Sequence, residues 1–231
     1  MIPLGDSPKK KRDSFITPLL IAGNVLFFLY MLLFFPDASA FYKVYGLNPA
    51  QITRAFQASS AFQPVYWTFL SSMFSHGGWW HLISNMLFLW IFGDNVEDRM
   101  GKFFFLIFYL LAGTGAAIVQ ILLQPDSNVV MVGASGAISA VMGAYLVLYP
   151  KASVMTLVPI LFFPVILRIP TVVFMAFWFL TQILNMATGT SGVGWGAHVG
   201  GFMIGLLLGW MLIPLNRPPS ARVIEEDRYF R

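Results

Sequence analysis

Long apolar segments separated by polar connections are the main pattern along this chain. A helix needs about 20 mostly apolar residues to cross a bilayer, and six segments approach or reach that length: 16–35, 81–92, 103–123, 132–149, 170–186 and 194–215. The second reaches full length if it begins nearer His76. A further apolar stretch, 154–167, is interrupted by prolines and is predicted to be an interfacial or re-entrant piece. The pattern predicts an all-α, polytopic bundle of six transmembrane helices, with five or seven as alternative counts.

Three regions follow from this pattern. Residues 1–14 are a polar head, residues 15–215 the membrane domain and residues 216–231 a charged tail. The long connection 36–80 is rich in aromatic residues, which favour the membrane interface, and is predicted to have a function or its own structure. The basic head, the apolar run and Ala-Ser-Ala at 38–40 together imitate a signal peptide. That run has about 20 residues instead of the 7–15 typical of signal peptides, so we predict that it remains as the first span.

The amino-acid composition indicates whether most of the chain is surrounded by water or by lipid. The chain is 58% hydrophobic and only 10% charged, whereas a soluble domain carries about 25% charged residues. Most of the chain is therefore expected to lie in lipid. A transmembrane β-barrel would need strands that alternate apolar and polar residues, and the unbroken apolar run 103–123 argues for helices instead.

Residue content also excludes several kinds of chemistry. The chain has no cysteine, so it has neither a disulfide nor a thiol nucleophile. Its three histidines, His76, His81 and His198, lack the spacing of zinc ligands, and no HExxH motif is present. We therefore expect no metal and no cofactor. The net charge of +4 is small and no groove of basic and aromatic residues is visible, so no nucleic-acid partner is expected.

The basic residues indicate an orientation, because cytoplasmic loops carry an excess of Lys and Arg. With six spans and the amino terminus inside, all of the 14 basic residues except Lys43 and Arg54 fall on the inner side. Both termini are therefore predicted to be cytoplasmic. A bacterial inner membrane is the predicted location, since no organelle-targeting segment is visible.

Polar residues inside apolar spans are costly and mark functional candidates. Three groups qualify: His81 with Asn85, the Gly-Ala-Ser-Gly sequence at 133–136, and His198. Each lies near the amino-terminal end of an even-numbered span, and every even-numbered span starts at the outer face. Taken singly, each group also has a structural explanation, such as a hydrogen bond to a helix backbone. Packing alone, however, does not require all three groups at one depth.

Ser135 and His198 suit nucleophilic catalysis, because a serine becomes a good nucleophile when a neighbouring imidazole takes its proton. No Asp or Glu falls within a predicted span, so the site would be a Ser–His dyad. Candidate donors to an oxyanion are His81 and Asn85, one helical turn apart, and the backbone N–H of Ser135. His76 is predicted to be structural.

The fourth and sixth helices can pack closely through small residues: Gly136, Ala140, Gly143, Gly201, Gly205 and Gly209.

These motifs resemble those of the rhomboid proteases. The resemblance extends over about residues 60–210, and its four motifs occur in the order of that family: HxxxN at 81–85, GxxxExxxG at 93–101, GASG at 133–136 and AHxxGxxxG at 197–205. It implies six helices around a water-filled cavity that is open to the outside. It also implies that Ser135 is the nucleophile, that His198 is the base, and that His81, Asn85 and the Ser135 amide surround the oxyanion.

Two departures from the family pattern are visible. Many relatives have Trp-Arg in the first outer loop, where this chain has Trp-Thr at 67–68. Some relatives place a tyrosine one turn after the serine, stacked on the histidine, where this chain has Ser139. The residue that steadies the His198 ring is therefore not identified by the resemblance.

The predicted function is an intramembrane serine endopeptidase that cleaves membrane-anchored proteins within or near their transmembrane helices. Its partners would be transmembrane substrates and membrane lipid, and no oligomeric state is predicted. Segments 103–123 and 170–186 would be scaffold and a candidate substrate gate. One rival is a catalytically silent rhomboid-like protein that binds client helices, disfavoured because Ser135 and His198 are both present. The other is a small transporter, disfavoured because no predicted span carries a charged residue for ion coupling.

Overall fold

The computed structural model describes residues 1–8, 13–58, 63–160, 163–189 and 192–212. The predicted basic cluster at 9–12 and the charged tail lie outside the described residues. A 3₁₀ turn covers Pro64–Trp67. The other elements are β1 (Ile2–Asp6), α1 (Ile16–Phe34), α2 (Ala38–Tyr45), α3 (Pro49–Gln57), α4 (Thr68–Phe74), α5 (Trp79–Met100), α6 (Lys102–Leu123), α7 (Ser135–Leu148), β2 (Ser153–Ile160), β3 (Phe163–Pro170), α8 (Thr171–Ala187) and α9 (Trp195–Leu212).

The predicted, mostly helical architecture is confirmed. Each of the six predicted spans falls on one helix: α1, α5, α6, α7, α8 and α9. Helices α1 and α6 are long and apolar enough to cross a membrane by length and composition alone, and α7, α8 and α9 are shorter apolar helices. The count of six spans stays a prediction. The long connection 36–80 contains three short helices, α2 to α4, and the 3₁₀ turn.

Helix α5 is longer than predicted and contains acidic residues. The sequence prediction ended this span at residue 92, which left the GxxxExxxG motif at 93–101 between two spans, but α5 continues to Met100 and Gly101 ends it with a φ of +86°. Glu97 is 2% exposed, and its carboxylate accepts hydrogen bonds at 2.7–2.9 Å from the N–H groups of Phe15, Ile16 and Thr17 and from the Thr17 hydroxyl. An anion here satisfies the free N–H groups that begin α1.

Helix α7 lies at the centre of the bundle. Its residues from Ala137 to Tyr145 are all buried, which is typical of a helix that is apolar on every side. A Cβ atom added to Gly201 or Gly205 of α9 would meet the carbonyl oxygens of Gly136 or Ala140 of α7. The two backbones are therefore in direct contact, as the small residues on these helices predicted.

A small antiparallel sheet is the main departure from the predicted all-α fold. The stretch 154–167, predicted to be an interfacial or re-entrant piece of an all-α fold, forms strands: β2 and β3 are a hairpin, and β1 adds a third strand beside β2. Pro159 and Pro164 face each other near the end of the hairpin, beyond the part of β2 that pairs with β1. Prolines are tolerated there because strand ends and edges leave some N–H positions unpaired.

Asp6 ties this sheet to the helical bundle. Its Oδ2 accepts hydrogen bonds from the Tyr145 hydroxyl of α7 at 2.6 Å and from the Asn95 amide of α5 at 2.8 Å. Burial, with a smaller contribution from nearby Asp94, raises the pKa of Asp6 to about 7. The folded protein therefore favours the protonated carboxyl group.

The contact between α7 and α9 predicts the effect of one added methyl group. Gly205→Ala should lower the free energy of unfolding by about 1–3 kcal/mol, because the new Cβ would strike the Ala140 carbonyl, which belongs to a rigid backbone. Gly23→Ala is the matched control, since its Cβ would make an ordinary 3.5 Å contact with the Phe74 ring. Denaturation of both variants in detergent micelles gives the comparison. Equal stability of the two would contradict tight backbone packing of α7 on α9.

Asp6 predicts a pH dependence of stability. Because its pKa is raised in the folded state, that state binds more protons than the unfolded chain between pH 4 and 7, so stability should fall as pH rises through this range. Asp6→Asn cannot titrate but retains an acceptor oxygen, and should remove a fall on the order of 2 kcal/mol after allowance for partial exposure. Unfolding of both proteins from pH 4 to 8 tests this. An unchanged pH dependence in the variant would show that Asp6 does not cause the effect.

Candidate active site

Ser135 is the first residue of α7, so its backbone N–H has no partner within the helix. Gly133, two residues before Ser135, has a φ of +125°, a conformation that glycine adopts far more easily than other residues. Its N–H donates to the Ser72 carbonyl at 2.9 Å, which fixes the turn that leads into the helix. The serine side chain is thus held at the end of a buried helix.

His198 lies in the first turn of α9 and meets Ser135 directly. The distance from His198 Nε2 to Ser135 Oγ is 2.8 Å, although the residues are 63 positions apart in sequence. This pairing follows from the contact between the α7 and α9 backbones, since both residues are at the amino-terminal ends of those helices. The structure therefore brings the two predicted dyad residues within hydrogen-bonding distance.

His81 and Asn85 lie beside this pair, on α5. The Gly77 N–H donates to His81 Nδ1 at 3.2 Å, so the neutral His81 ring carries its proton on Nε2. That Nε2 lies close to Gly133, where an added Cβ would be 2.8 Å away. The Asn85 amide nitrogen donates to the His81 carbonyl at 2.8 Å, which uses one of its two N–H groups. Among the described residues, these hydrogen bonds leave one donor of each side chain for a third group.

All four predicted site residues line a single cavity of about 1350 Å³. The cavity also reaches the connection between α6 and α7, including exposed Val129. Among its walls are the glycine-rich approach to Ser135, α8 and the start of α9. The sequence prediction that these groups share one depth and one space is consistent with this arrangement.

Three residues of the site were missed by sequence reasoning. Gln182 of α8 is buried, and its Oε1 lies 3.0 Å from His198 Nδ1. The ring of Trp195 meets the His198 ring edge-on with 5.6 Å between centroids, and Trp178 lies at 6.2 Å. The rule that polar residues in spans are functional candidates could have identified Gln182. Nothing in the local sequence distinguishes the two tryptophans from interfacial aromatic residues.

Two other polar residues have structural contacts. The Ser139 hydroxyl donates to the Ser135 carbonyl at 2.6 Å, a bond within its own helix. It does not replace the stacking tyrosine of some relatives. His76 is fully buried, with its Nδ1 3.3 Å from the Phe74 carbonyl and its ring edge-on to that of His81 at 5.1 Å. It packs behind the site, as its predicted structural role requires.

The fold and the site define a class: a bundle of mostly apolar helices with a hydrogen-bonded Ser–His pair at the amino-terminal ends of two central helices. Comparison with protein families gives the particular family. Residues 63–215 match the model of the Rhomboid domain. The chain belongs to the rhomboid family.

Proteins named as chloroplastic or mitochondrial are among the relatives that are similar to this chain in sequence. The chain is 28% identical to "Rhomboid-like protein 11, chloroplastic" of Arabidopsis thaliana over 201 residues, which cover 82% of this chain and 64% of that protein. It is 32% identical to "Rhomboid protein 1, mitochondrial" of Saccharomyces cerevisiae over 171 residues, 70% of this chain and 44% of the relative. For the human "Presenilin-associated rhomboid-like protein, mitochondrial" the identity is 28% over 219 residues, 90% of this chain and 52% of the relative. The matched part of the chain thus spans 44–64% of the length of these relatives.

Proposed function

We propose that this chain is an intramembrane serine endopeptidase that cleaves membrane-anchored proteins within or near their transmembrane helices. The observation that carries the proposal is the 2.8 Å distance between Ser135 Oγ and His198 Nε2 in a cavity within a bundle of apolar helices. A serine so placed can lose its proton to the imidazole as it attacks. Membership of the rhomboid family supports the same reading.

The proposed reaction has two acyl-transfer steps. In the first, Ser135 Oγ attacks the scissile carbonyl carbon while its proton passes to His198 Nε2. The C–N bond then breaks, and His198 returns that proton to the leaving amine, which leaves an ester on Ser135. In the second, a water attacks the ester carbonyl while His198 takes one of its protons, the C–O bond to Ser135 breaks, and His198 returns that proton to Ser135 Oγ. The imidazole is neutral again at the end of each step.

The negative charge on the carbonyl oxygen needs donors in the same space. The backbone N–H of Ser135 has no partner within α7, and the helix dipole at the start of α7 also favours an anion. His81 Nε2–H and the second N–H of the Asn85 amide are the side-chain donors that the hydrogen bonds of α5 leave available. We assign these three groups to the oxyanion.

The geometry of a serine attack also constrains the substrate. A peptide carbonyl inside a regular helix is hydrogen-bonded and shielded by side chains, so the substrate must unwind locally before Ser135 can reach it. Unpaired backbone groups in hydrocarbon cost several kcal/mol each, and the polar walls of the cavity can compensate for part of this cost. Substrate helices that contain glycine or proline unwind at lower cost. They are the proposed substrates.

The proposed topology places both termini on the cytoplasmic side, on the basis of the Lys and Arg distribution. The cavity then opens on the opposite face. The bacterial inner membrane stays a prediction, since the relatives named above are mitochondrial and chloroplastic proteins. A catalytically silent rhomboid-like protein that binds client helices is the alternative function, and the hydrogen-bonded Ser–His pair is the observation against it.

The dyad predicts the behaviour of its two alanine variants. Ser135→Ala and His198→Ala should each abolish cleavage of a co-expressed single-span protein, and the double variant should be no worse, because the two groups act as a unit. A fluorophosphonate probe should label the wild-type protein but not Ser135→Ala. Ser139→Ala is the matched control and should still be labelled, since that hydroxyl only bonds its own helix. Cleavage by Ser135→Ala in a preparation free of other proteases would exclude the dyad.

Asn85 predicts a graded loss. Asn85→Ala should reduce turnover by about 10²–10³-fold if its free N–H is a strong oxyanion donor. Ser84→Ala is the control, because the Ser84 hydroxyl donates to the same His81 carbonyl at 3.1 Å and has no second proton to offer. Turnover of a purified substrate by the two variants decides the point. A similar, small effect in both would make Asn85 a helix-packing residue.

A further inference from the structure

The direction of the Gln182 side chain is determined by its neighbours on α8. Its amide nitrogen lies 2.8 Å from the Trp178 carbonyl oxygen and 2.9 Å from Thr181 Oγ1. A carbonyl can only accept a hydrogen bond, so the amide nitrogen, not its oxygen, must face it. The Thr181 hydroxyl gives its own proton to the Trp178 carbonyl at 2.6 Å, so its oxygen accepts from Gln182. Both amide hydrogens are thereby used.

This network determines which nitrogen of His198 carries the proton. The remaining polar atom of Gln182, Oε1, lies 3.0 Å from His198 Nδ1. An amide oxygen can only accept, so Nδ1 must be the protonated nitrogen. A neutral imidazole has one N–H, and Nε2 is therefore left with a lone pair, 2.8 Å from Ser135 Oγ. Only this tautomer can take the serine proton.

We propose that Gln182 is the positioning residue that holds His198 in the tautomer and ring orientation required of a base. Serine hydrolases with a triad obtain this effect from a buried carboxylate, and loss of the correct tautomer there costs about 10⁴-fold in rate. Here a neutral amide, itself fixed by Trp178 and Thr181, performs the same task without placing a charge in the bundle. The proposal rests on the proposed function, since it assigns a role within that site.

The first test measures the tautomer itself and needs no activity. In ¹⁵N spectra of histidine-labelled protein at about pH 8, where an ordinary histidine is neutral, His198 should show a protonated Nδ1 and an unprotonated Nε2. The signal is assigned by its absence from His198→Ala. Gln182→Met has a similar length but no strong acceptor, and should give a mixture of tautomers or a protonated Nε2. The same single tautomer in wild type and Gln182→Met would overturn the proposal.

The second test separates positioning from packing. Gln182→Met should lower kcat by about 10²–10⁴-fold with little change in KM. Gln182→Glu, which again offers an acceptor oxygen to Nδ1, should recover at least tenfold over Gln182→Met. Leu184→Met, an exposed position on the same helix, should keep the wild-type rate. Equal inactivity of the Met and Glu variants when both are folded would indicate packing alone and contradict the proposal.

The two tests distinguish this proposal from the function on which it rests. If the tautomer depends on Gln182 but the wild-type protein neither cleaves a substrate nor reacts with a fluorophosphonate, positioning stands and the protease assignment fails. If the wild-type protein cleaves and Gln182→Met retains both the rate and the tautomer, the protease assignment stands and Gln182 has no positioning role.

Discussion

The direct contact between the α7 and α9 backbones is the constraint on which the rest of the structure depends. Lipid gives helices no hydrophobic reason to associate, so close packing has to come from small residues that let the backbones touch. Gly201 and Gly205 meet carbonyl groups of α7, and a Cβ at Gly209 would lie 2.8 Å from Ala144 Cα. Ser135 and His198 lie in the first turns of these two helices, so the separation of the helices sets the distance between Oγ and Nε2. A larger separation of α7 and α9 would break the hydrogen bond between Ser135 Oγ and His198 Nε2.

The sequence predicts the helices well because their determinants are local. Length and hydropathy located α1, α5, α6, α7, α8 and α9, and the spacing of glycines predicted that α7 and α9 would touch. The failures occur where tertiary contacts override the local pattern. The stretch 154–167 has no periodicity that separates strand from interfacial segment, and it becomes a hairpin that β1 extends. Helix α5 continues through Glu97 because the start of α1 supplies four hydrogen-bond donors to a charge that hydropathy alone would exclude.

In the candidate site, too, some features follow from local sequence and others only from tertiary contacts. The proximity of Ser135, His198, His81 and Asn85 could be predicted, because each is a polar residue near the start of an apolar span and the predicted topology assigns these positions to one depth. Gln182 could not be assigned a role in this way. It lies in the last turns of α8, and only the packing of α8 on α9 shows that it faces Nδ1 of His198. The family resemblance does not identify the residue that holds the His198 ring either, because this chain has Ser139 where some relatives stack a tyrosine on the histidine.

Helices α7 and α8 both pack on α9, the helix that carries His198, but the two contacts differ in rigidity. Helix α7 meets α9 backbone to backbone, and that contact cannot yield without unpacking the centre of the bundle. Helix α8 meets α9 through side chains such as Trp178 and Phe202, whose rings are 5.8 Å apart, and Leu180 on its outer face is exposed. A displacement of α8 by about 1 Å would take Gln182 out of hydrogen-bond range of His198 while the serine–histidine distance stayed the same. In this fold, therefore, the proposed nucleophile is fixed by the most rigid contact, whereas the proposed orientation of His198 by Gln182 depends on the position of α8.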